Sequence, residues 1–164
     1  MTDKIEQCTK MINDSSFFII DDKEKEPPYL VYKNGEFEVI NQNKKELSFI
    51  SIDSCVYDSK DDTRCDCAIY DEVTFCFIEL KHCKRTAWKR HRAKAEDQLK
   101  KTIETFEEEG ITKDKKLEAF MSCNCTIDSE YTKIKRISNK FEVITYFKDN
   151  LNTDLYCDTK KEFK

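Results

Sequence analysis

Long apolar runs are missing from this sequence of 164 residues, because no stretch of about 18 consecutive hydrophobic residues occurs in it. The amino terminus also lacks the basic, apolar and small-residue regions that make up a secretory signal. We therefore expect no membrane span, no membrane partner and a cytoplasmic location.

Histidine is scarce, with two residues against nine cysteines. The pairs Cys65-x-Cys67 and Cys123-x-Cys125 have one intervening residue, where structural zinc sites usually have about two to four, and neither pair has a suitably spaced histidine. We expect no structural zinc, with a cysteine-bound zinc protein as a third interpretation. The odd cysteine count and the apolar surroundings of several cysteines favour buried thiols in a reducing cytosol over a disulfide framework.

The charge of the chain is unevenly distributed. Its length is typical of one domain, and its net charge of −4 speaks by itself against nucleic-acid binding. Between Lys81 and Lys101, however, nine lysine or arginine residues stand against two acids, so this segment carries a local charge of +7. The molecule is therefore electrically polarised.

The first forty residues contain one helical and several strand-like patterns. Apolar residues at helical spacing predict a short amphipathic helix over Thr2–Asn13, whereas Phe17–Ile20 is either a strand or a buried turn of helix. Asn34-Gly35 is a strong turn signal, so we expect Tyr29–Lys33 and Glu36–Ile40 to pair as a β-hairpin.

The middle of the chain, from Thr63 to Lys81, predicts two strands joined by a turn at Asp71-Glu72. Glu46–Ile52 is predicted as a strand before it, and Asp53–Asp62 as a polar loop whose aspartates are mostly solvated. A two-residue turn places Asp66 opposite Phe77, on one face with Glu79 and Lys81, and points Cys65, Cys67 and Cys76 to the other face. An odd-length turn would separate Asp66 from Glu79, so the cluster depends on even parity.

The second half of the chain begins with the longest helical pattern. Apolar residues every three or four positions predict a helix over Thr86–Glu109, which Gly110 caps. Leu117–Cys125 and Phe141–Phe147 are predicted as strands, and the lysine-rich tail from Asp158 is expected to fray.

The order of helix, strand, Asp-bearing strand, Glu-x-Lys strand, helix and strand resembles the PD-(D/E)xK nuclease superfamily, whose core is an αβββαβ sheet. Asp66 matches the aspartate of the motif, without a preceding proline, and Ile78-Glu79-Leu80-Lys81 matches the (D/E)-x-K element. Gln98 falls where some members carry a glutamine on the following helix. The same motifs look like those of small stand-alone bacterial proteins of this superfamily.

The resemblance implies an α/β fold with a mixed central sheet and a restriction-endonuclease-like αβββαβ core over about residues 46–125. The chain would form a single domain, 1–164. Residues 1–45 would add the helix and the hairpin, and residues 126–164 a final strand and tail.

The resemblance also implies a Mg²⁺ site, with Mn²⁺ as a substitute, held by Asp66, Glu79 and the backbone carbonyl of Leu80. Lys81 would orient the attacking water or stabilise developing charge, and Gln98 would be an accessory group. Phosphodiester hydrolysis requires the same residue types, because a hard cation held by oxygen ligands neutralises the phosphate and activates water. In the simpler alternative, Asp66 and Glu79 are surface carboxylates and Lys81 is their cross-strand partner.

We therefore expect a Mg²⁺-dependent nuclease, with a non-catalytic module of the same fold that binds nucleic acid or a protein partner as the alternative. The basic half of the long helix offers a surface that follows phosphates and stacks on bases, although a solvated helix face explains it as well. A chain this small has little surface to wrap a duplex, so we expect a homodimer or a partner subunit. The candidate nucleic-acid-binding residues are Lys84, Arg85, Trp88, Lys89, Arg90, Arg92 and Lys94.

Overall fold

A computed structural model describes residues 1–22, 27–57, 63–82, 87–123 and 141–164, with the backbone alone for Trp88 and Cys123. It has three layers: helices, a six-stranded sheet and a four-stranded sheet. The helices are α1 (Thr2–Gln7), α2 (Trp88–Glu108) and α3 (141–151). The strands are β1 (Thr9–Ile12), β2 (Ser16–Ile20), β3 (Tyr29–Val31), β4 (Phe37–Ile40), β5 (Leu47–Ser51), β6 (Cys67–Tyr70), β7 (Thr74–Lys81), β8 (Lys116–Cys123), β9 (Thr153–Tyr156) and β10 (Lys160–Glu162).

The six-stranded sheet has the order β1-β5-β6-β7-β8-β9 and is mixed. Strands β5, β6 and β7 form an antiparallel meander, and β8 then runs parallel to β7 after the α2 crossover. This is the α/β fold with a mixed sheet that the sequence predicts. Strand β7 lies in the middle of the sheet, and its last residues carry the Glu-x-Lys sequence.

Helix α2 covers one face of this sheet, as its periodicity predicts. Phe75 and Phe77 of β7 point toward the helices and contact Phe106, with ring centroids 6.0 and 5.5 Å apart. The helix ends in a Schellman motif, in which Ile111 donates its N–H to the carbonyl of Phe106 and Gly110 adopts a φ of +70°. The predicted glycine cap is therefore confirmed, while Thr86 lies outside the described residues.

The four-stranded sheet, with the order β10-β4-β2-β3, covers the other face. Alternate residues of its strands, such as Phe17, Ile19, Phe37 and Val39, are fully buried against β6 and β7. Because both faces are covered, β7 is apolar along nearly its whole length, and a charged residue within it needs a specific partner.

The predicted amino-terminal helix is shorter than its sequence pattern. Helix α1 ends at Gln7, and the residues from Thr9 to Ile12 form β1, which pairs antiparallel with β5. The prediction of a helix to Asn13 is wrong because a helix this short is weak by itself, while pairing with β5 satisfies the same backbone groups in a sheet. Met11 consequently lies exposed and Ile12 buried.

The predicted hairpin around Asn34-Gly35 is also wrong. Strands β3 and β4 do not pair with each other, because β2 lies between them and pairs antiparallel with both. Asn34 does adopt the turn conformation, with φ of +57°. A Cβ on Gly35 would lie 2.2 Å from the Cβ of Phe18, so this glycine lets the connection cross directly over β2.

The carboxyl-terminal segments differ most from prediction. Residues 141–151 are helical instead of a strand, and Phe147 and Leu151, four residues apart, are buried against the central sheet. The tail from Asp158 does not fray, because β10 runs parallel to β4 and Phe163 is 3% exposed. The strand predicted at Leu117–Cys125 is confirmed as β8, with 124–125 outside the described residues.

The cysteines follow two different patterns. Cys65, Cys67 and Cys76 are buried free thiols, as expected. The expectation of reduced thiols is wrong for Cys8 and Cys55, which form a disulfide with their Cα atoms 5.9 Å apart. In the described part of the chain, no helix is both long and apolar enough to span a membrane.

Candidate active site at the end of strand β7

The register of the β6–β7 hairpin brings Asp66 and Glu79 together. Cys67 pairs with Ile78, so Asp66, one position earlier, lies opposite Glu79. The prediction that Asp66 faces Phe77 is therefore wrong by two residues. A shift of two keeps the parity, so Asp66, Glu79 and Lys81 still share one face.

The turn that sets this register is longer than predicted because Asp71 builds it with its side chain. The Asp71 carboxylate accepts the N–H groups of Val73 and Thr74 at 2.9 and 2.7 Å. This local bonding is the usual reason that aspartate favours turns. The pairing consequently begins at Tyr70 and Phe75.

The same register corrects the placement of the cysteines. Cys67 and Cys76 lie on the face away from Asp66, as predicted, where the second sheet covers them. The predicted two-residue turn would also place Cys67 opposite Cys76, but Cys67 pairs with Ile78. Cys65 packs on the helix side instead, because its N–H donates to the Thr102 hydroxyl of α2 at 2.8 Å. The residue before Asp66 is thus fixed to α2.

The predicted catalytic side chains form one hydrogen-bonded cluster. Lys81 donates from Nζ to Oε1 of Glu79 and to Oε1 of Gln98, the latter at 3.0 Å. Gln98 in turn donates to the carbonyl of Arg64 at 2.8 Å. Asp66 accepts the N–H of Leu80 at 2.5 Å. The structure therefore brings Asp66, Glu79, Lys81 and Gln98 into one place.

Burial strongly perturbs the ionisation of this cluster. Glu79 is fully buried, and burial raises its pKa from 4.5 to about 7 against the opposing effect of Lys81, with Asp53 adding to the rise. Burial, and then Glu79, raise the pKa of Asp66 well above its ordinary value. Burial lowers the pKa of Lys81, but Glu79 and Asp66 outweigh it and the net pKa is raised. Two acids and one ammonium thus share a largely buried site, in which the ammonium only partly compensates the charges of the acids.

One buried oxygen of Glu79 has no hydrogen-bond donor among the described residues. Oε2 of Glu79 is buried and accepts no hydrogen bond from the described residues. The Leu80 carbonyl leaves the strand on the same side as its N–H, which contacts Asp66. The described residues contain no group of three or more metal-ligating side chains, so a cation here would depend on two carboxylates, a carbonyl and water. This all-oxygen set fits Mg²⁺, which keeps several waters.

Asp53 is a site residue that the sequence prediction missed. It follows β5 in an irregular segment, Ile52–Val56, whose Asp53 and Ser54 have non-helical dihedral angles. The N–H groups of Ile52 and Asp53 both donate to the carbonyl of Asp66. Within the segment Ser54 has a φ of +59°, which is uncommon for a residue other than glycine. Asp53 lies two residues beyond β5 and Asp66 one residue before β6, so the pairing of these two strands is what brings them together.

The second sheet contributes further charge near the cluster. Glu36 is buried, which raises its pKa, and it forms an ion pair with His82 and accepts the N–H of Asp21. Behind burial and Glu79, Asp21 makes a further contribution to the raised pKa of Asp66. These residues lie far apart in sequence. Their closeness to the cluster was not predicted, because the predicted hairpin has a different strand order from the observed sheet.

The predicted nucleic-acid-binding residues are only partly described. Lys89, Arg90 and Lys94 are exposed on α2, and Arg92 binds Glu96 with Nε 2.6 Å from Oε1. Lys84 and Arg85 lie outside the described residues, as does the side chain of Trp88. An exposed set of three cations therefore lies on the helix that supplies Gln98.

Comparisons with protein families, with curated proteins and with solved structures found no match to this chain. The site itself is therefore the ground for a functional assignment. Its distinctive feature is the pair of buried carboxylates, Asp66 and Glu79, next to a half-buried lysine, Lys81.

Proposed function

We propose that this protein is a Mg²⁺-dependent nuclease that hydrolyses phosphodiester bonds in nucleic acid. The observation that carries the proposal is the cluster of Asp66, Glu79, Lys81 and Gln98, in which one buried Glu79 oxygen accepts no hydrogen bond from the described residues. An uncompensated buried carboxylate is costly, and a bound cation relieves that cost.

The topology supports a PD-(D/E)xK type of core. Helix α1, the β5–β6–β7 meander, the α2 crossover and the parallel strand β8 follow the αβββαβ order. The acid pair lies on the second and third strands of that meander, where the superfamily places its metal ligands. The four-stranded sheet is an addition of this chain, made from residues on both sides of the core.

Each group in the cluster has a defined role in the proposed reaction. Asp66, Glu79 and the Leu80 carbonyl would hold the Mg²⁺, which when bound neutralises phosphate charge and lowers the pKa of a water. Lys81 keeps its proton and stabilises the developing negative charge. Gln98 fixes the Lys81 ammonium from α2 and limits the positions that it can occupy.

Nucleic acid would approach along α2. Lys89, Arg90 and Lys94 are free of the cluster's own bonds and exposed, so they can contact the phosphates on either side of the cleaved bond. Lys84, Arg85 and Trp88 remain predicted contacts. Among the residues of this predicted surface that the structure describes, three are exposed cations, and a homodimer or a partner subunit would complete the surface.

Cleavage assays with matched variants test the proposal. Purified protein is incubated with plasmid, single-stranded DNA and RNA, with Mg²⁺ or Mn²⁺. We expect cleavage of at least one substrate, and a rate loss of about 10²-fold or more in Glu79→Gln and in Lys81→Ala. The controls are Glu109→Gln and Lys113→Ala, whose side chains are exposed at the end of α2 and beyond it; both should cleave as wild type does.

Two outcomes contradict the nuclease proposal. Either wild type cleaves none of the three substrates, or both site variants cleave as fast as the control variants. Binding of nucleic acid without cleavage would instead support the non-catalytic module.

A further inference from the structure

The Cys8–Cys55 disulfide holds the protein segment that contacts Asp66. Cys55 belongs to the segment Ile52–Val56, and the disulfide ties it to Cys8 at the end of α1. The N–H groups of Ile52 and Asp53 in this segment donate to the Asp66 carbonyl at 3.0 and 3.1 Å. The covalent link is therefore separated from a proposed metal ligand by one short segment and two hydrogen bonds.

The Ile52–Val56 segment has a strained backbone conformation that neighbouring groups must hold in place. Asp53 and Ser54 have non-helical dihedral angles inside it, and the left-handed conformation of Ser54 is unfavourable for a side chain. Strained backbone of this kind persists only when its surroundings hold it. The disulfide is one such restraint, and the hydrogen bond from Ser51 to the Cys8 carbonyl is a second.

Small thiols can reach the disulfide. Both cysteines are partly exposed and line an open groove of about 610 Å³, together with Tyr29, Phe49 and Lys10. By contrast, Cys65, Cys67 and Cys76 are fully buried. A small thiol therefore has a route to the Cys8–Cys55 disulfide.

We propose that Cys8 and Cys55 form a redox switch, in which reduction of their disulfide releases the 52–56 segment and weakens divalent-cation binding by Asp66 and Glu79. The cation part of this inference rests on the proposed function. In the oxidised form the N–H groups of Ile52 and Asp53 are held on the carbonyl of Asp66. In the reduced form this carbonyl loses a fixed pair of donors, and the backbone of Asp66 loses their support.

The reduction is a balanced thiol–disulfide exchange with a small dithiol. One thiolate of the dithiol attacks Sγ of Cys8 or Cys55 to form a mixed disulfide, and the other cysteine leaves as a thiolate and takes up a proton. The second thiol of the reagent then displaces the bound cysteine. Two electrons pass to the protein, which gains two thiols, and the dithiol becomes a cyclic disulfide.

Mn²⁺ titration and amide hydrogen exchange test the switch on the full chain. Oxidised protein and dithiol-reduced protein, freed of reagent under nitrogen, are each titrated with Mn²⁺ by calorimetry. We expect reduction to raise the Kd by about tenfold or more, the effect usual for a lost outer support of a metal ligand. The double variant Cys8→Ser with Cys55→Ser should have the Mn²⁺ Kd of reduced wild type, and treatment with the dithiol should leave it unchanged. The Cys157→Ser variant should have the wild-type Kd in both the oxidised and the reduced state.

Hydrogen exchange separates failure of the switch from failure of the proposed function. We expect the Ile52 and Asp53 amides to exchange faster after reduction, whether or not Mn²⁺ binds. If Mn²⁺ binds neither form but these amides lose protection, the switch stands as a conformational device and the metal site is wrong. Unchanged exchange at Ile52 and Asp53 on reduction overturns the switch, as does an unchanged Kd in protein that binds Mn²⁺.

Discussion

At the scale of single residues, the site is defined by an acid that is costly to ionise. Glu79 has no exposed surface, and one of its oxygens accepts a hydrogen bond from Lys81. The other oxygen accepts none from the residues that the structure describes. A carboxyl group in such a place favours its protonated form, as its pKa of about 7 shows. Lys81 shares its charge within the strand, and the proposed Mg²⁺ would share it further.

This acid predicts an unusual dependence of stability on pH. The folded pKa of Glu79 lies above the unfolded value of 4.5, so its contribution is fully present below about pH 4.5 and lost as the pH rises to about 7. The loss amounts to about 3 kcal/mol, and the raised pKa of Asp66 acts in the same direction. Urea unfolding in EDTA should therefore show lower stability at pH 8 than at pH 5, and Mn²⁺ should restore most of it at pH 8.

Glu79→Gln removes the titrating group and serves as the matched comparison. Its stability in EDTA should change much less between pH 5 and pH 8, whereas the exposed Glu109→Gln should keep the wild-type slope. An unaltered slope in Glu79→Gln would mean that the pH dependence originates elsewhere.

The residues of the cluster could be predicted from sequence because they follow strong local patterns. Glu79 and Lys81 end an alternating strand, so strand parity placed them on one face. Gln98 lies on a long periodic helix, but only the resemblance to the nuclease superfamily placed it with them. Asp53 and Glu36 could not be found in this way. Their positions depend on the left-handed turn at Ser54 and on the order of the second sheet, which no short window of sequence encodes.

At the scale of elements, the second sheet depends on a close approach of two backbones. The connection between β3 and β4 crosses β2 at Gly35, where an added Cβ would lie 2.2 Å from the Cβ of Phe18. Gly35→Ala should therefore force the connection away from β2 and destabilise the protein by about 1–3 kcal/mol or more. Thermal or urea unfolding measures this change.

Gly110→Ala is the control for this substitution. Gly110 has a positive φ but open space around its Cβ position, so alanine there should destabilise by only about 1 kcal/mol. If Gly35→Ala is no more destabilising than Gly110→Ala, the strands do not cross as described.

Elements were predictable where their pairing is local. The β6–β7 hairpin and helix α2 were identified from alternation and periodicity, since each forms within about thirty residues of sequence. For β2 the sequence left a strand and a buried turn of helix open, and its place between two segments that look like a hairpin was not predicted. Strand β10 was missed, because it pairs with a distant strand. A turn signal such as Asn34-Gly35 predicts the local backbone conformation but does not determine which strands pair.

At the scale of the whole molecule, the two sheets are joined by the carboxyl-terminal residues. Phe163 is buried with Phe37 and Val39, and Lys161 binds Glu118 of the central sheet at 2.5 Å. Phe163→Ala should therefore lower the free energy of unfolding by about 3–5 kcal/mol. The matched control is Phe141→Ala, since Phe141 is 75% exposed and its loss should change stability by no more than about 0.5 kcal/mol. Equal effects of the two substitutions in urea unfolding would show that the tail does not dock.

The pairing of β10 with β4 also determines when the second sheet can finish folding during synthesis. Lys160 lies opposite Glu38, 122 positions earlier in the chain. At a synthesis rate of about 5–20 residues per second, β10 is made roughly 6 to 24 seconds after β4. During that interval one edge of the second sheet is open to other strands and to chaperones. The layer that supplies Glu36 is thus completed only after the central sheet has been made.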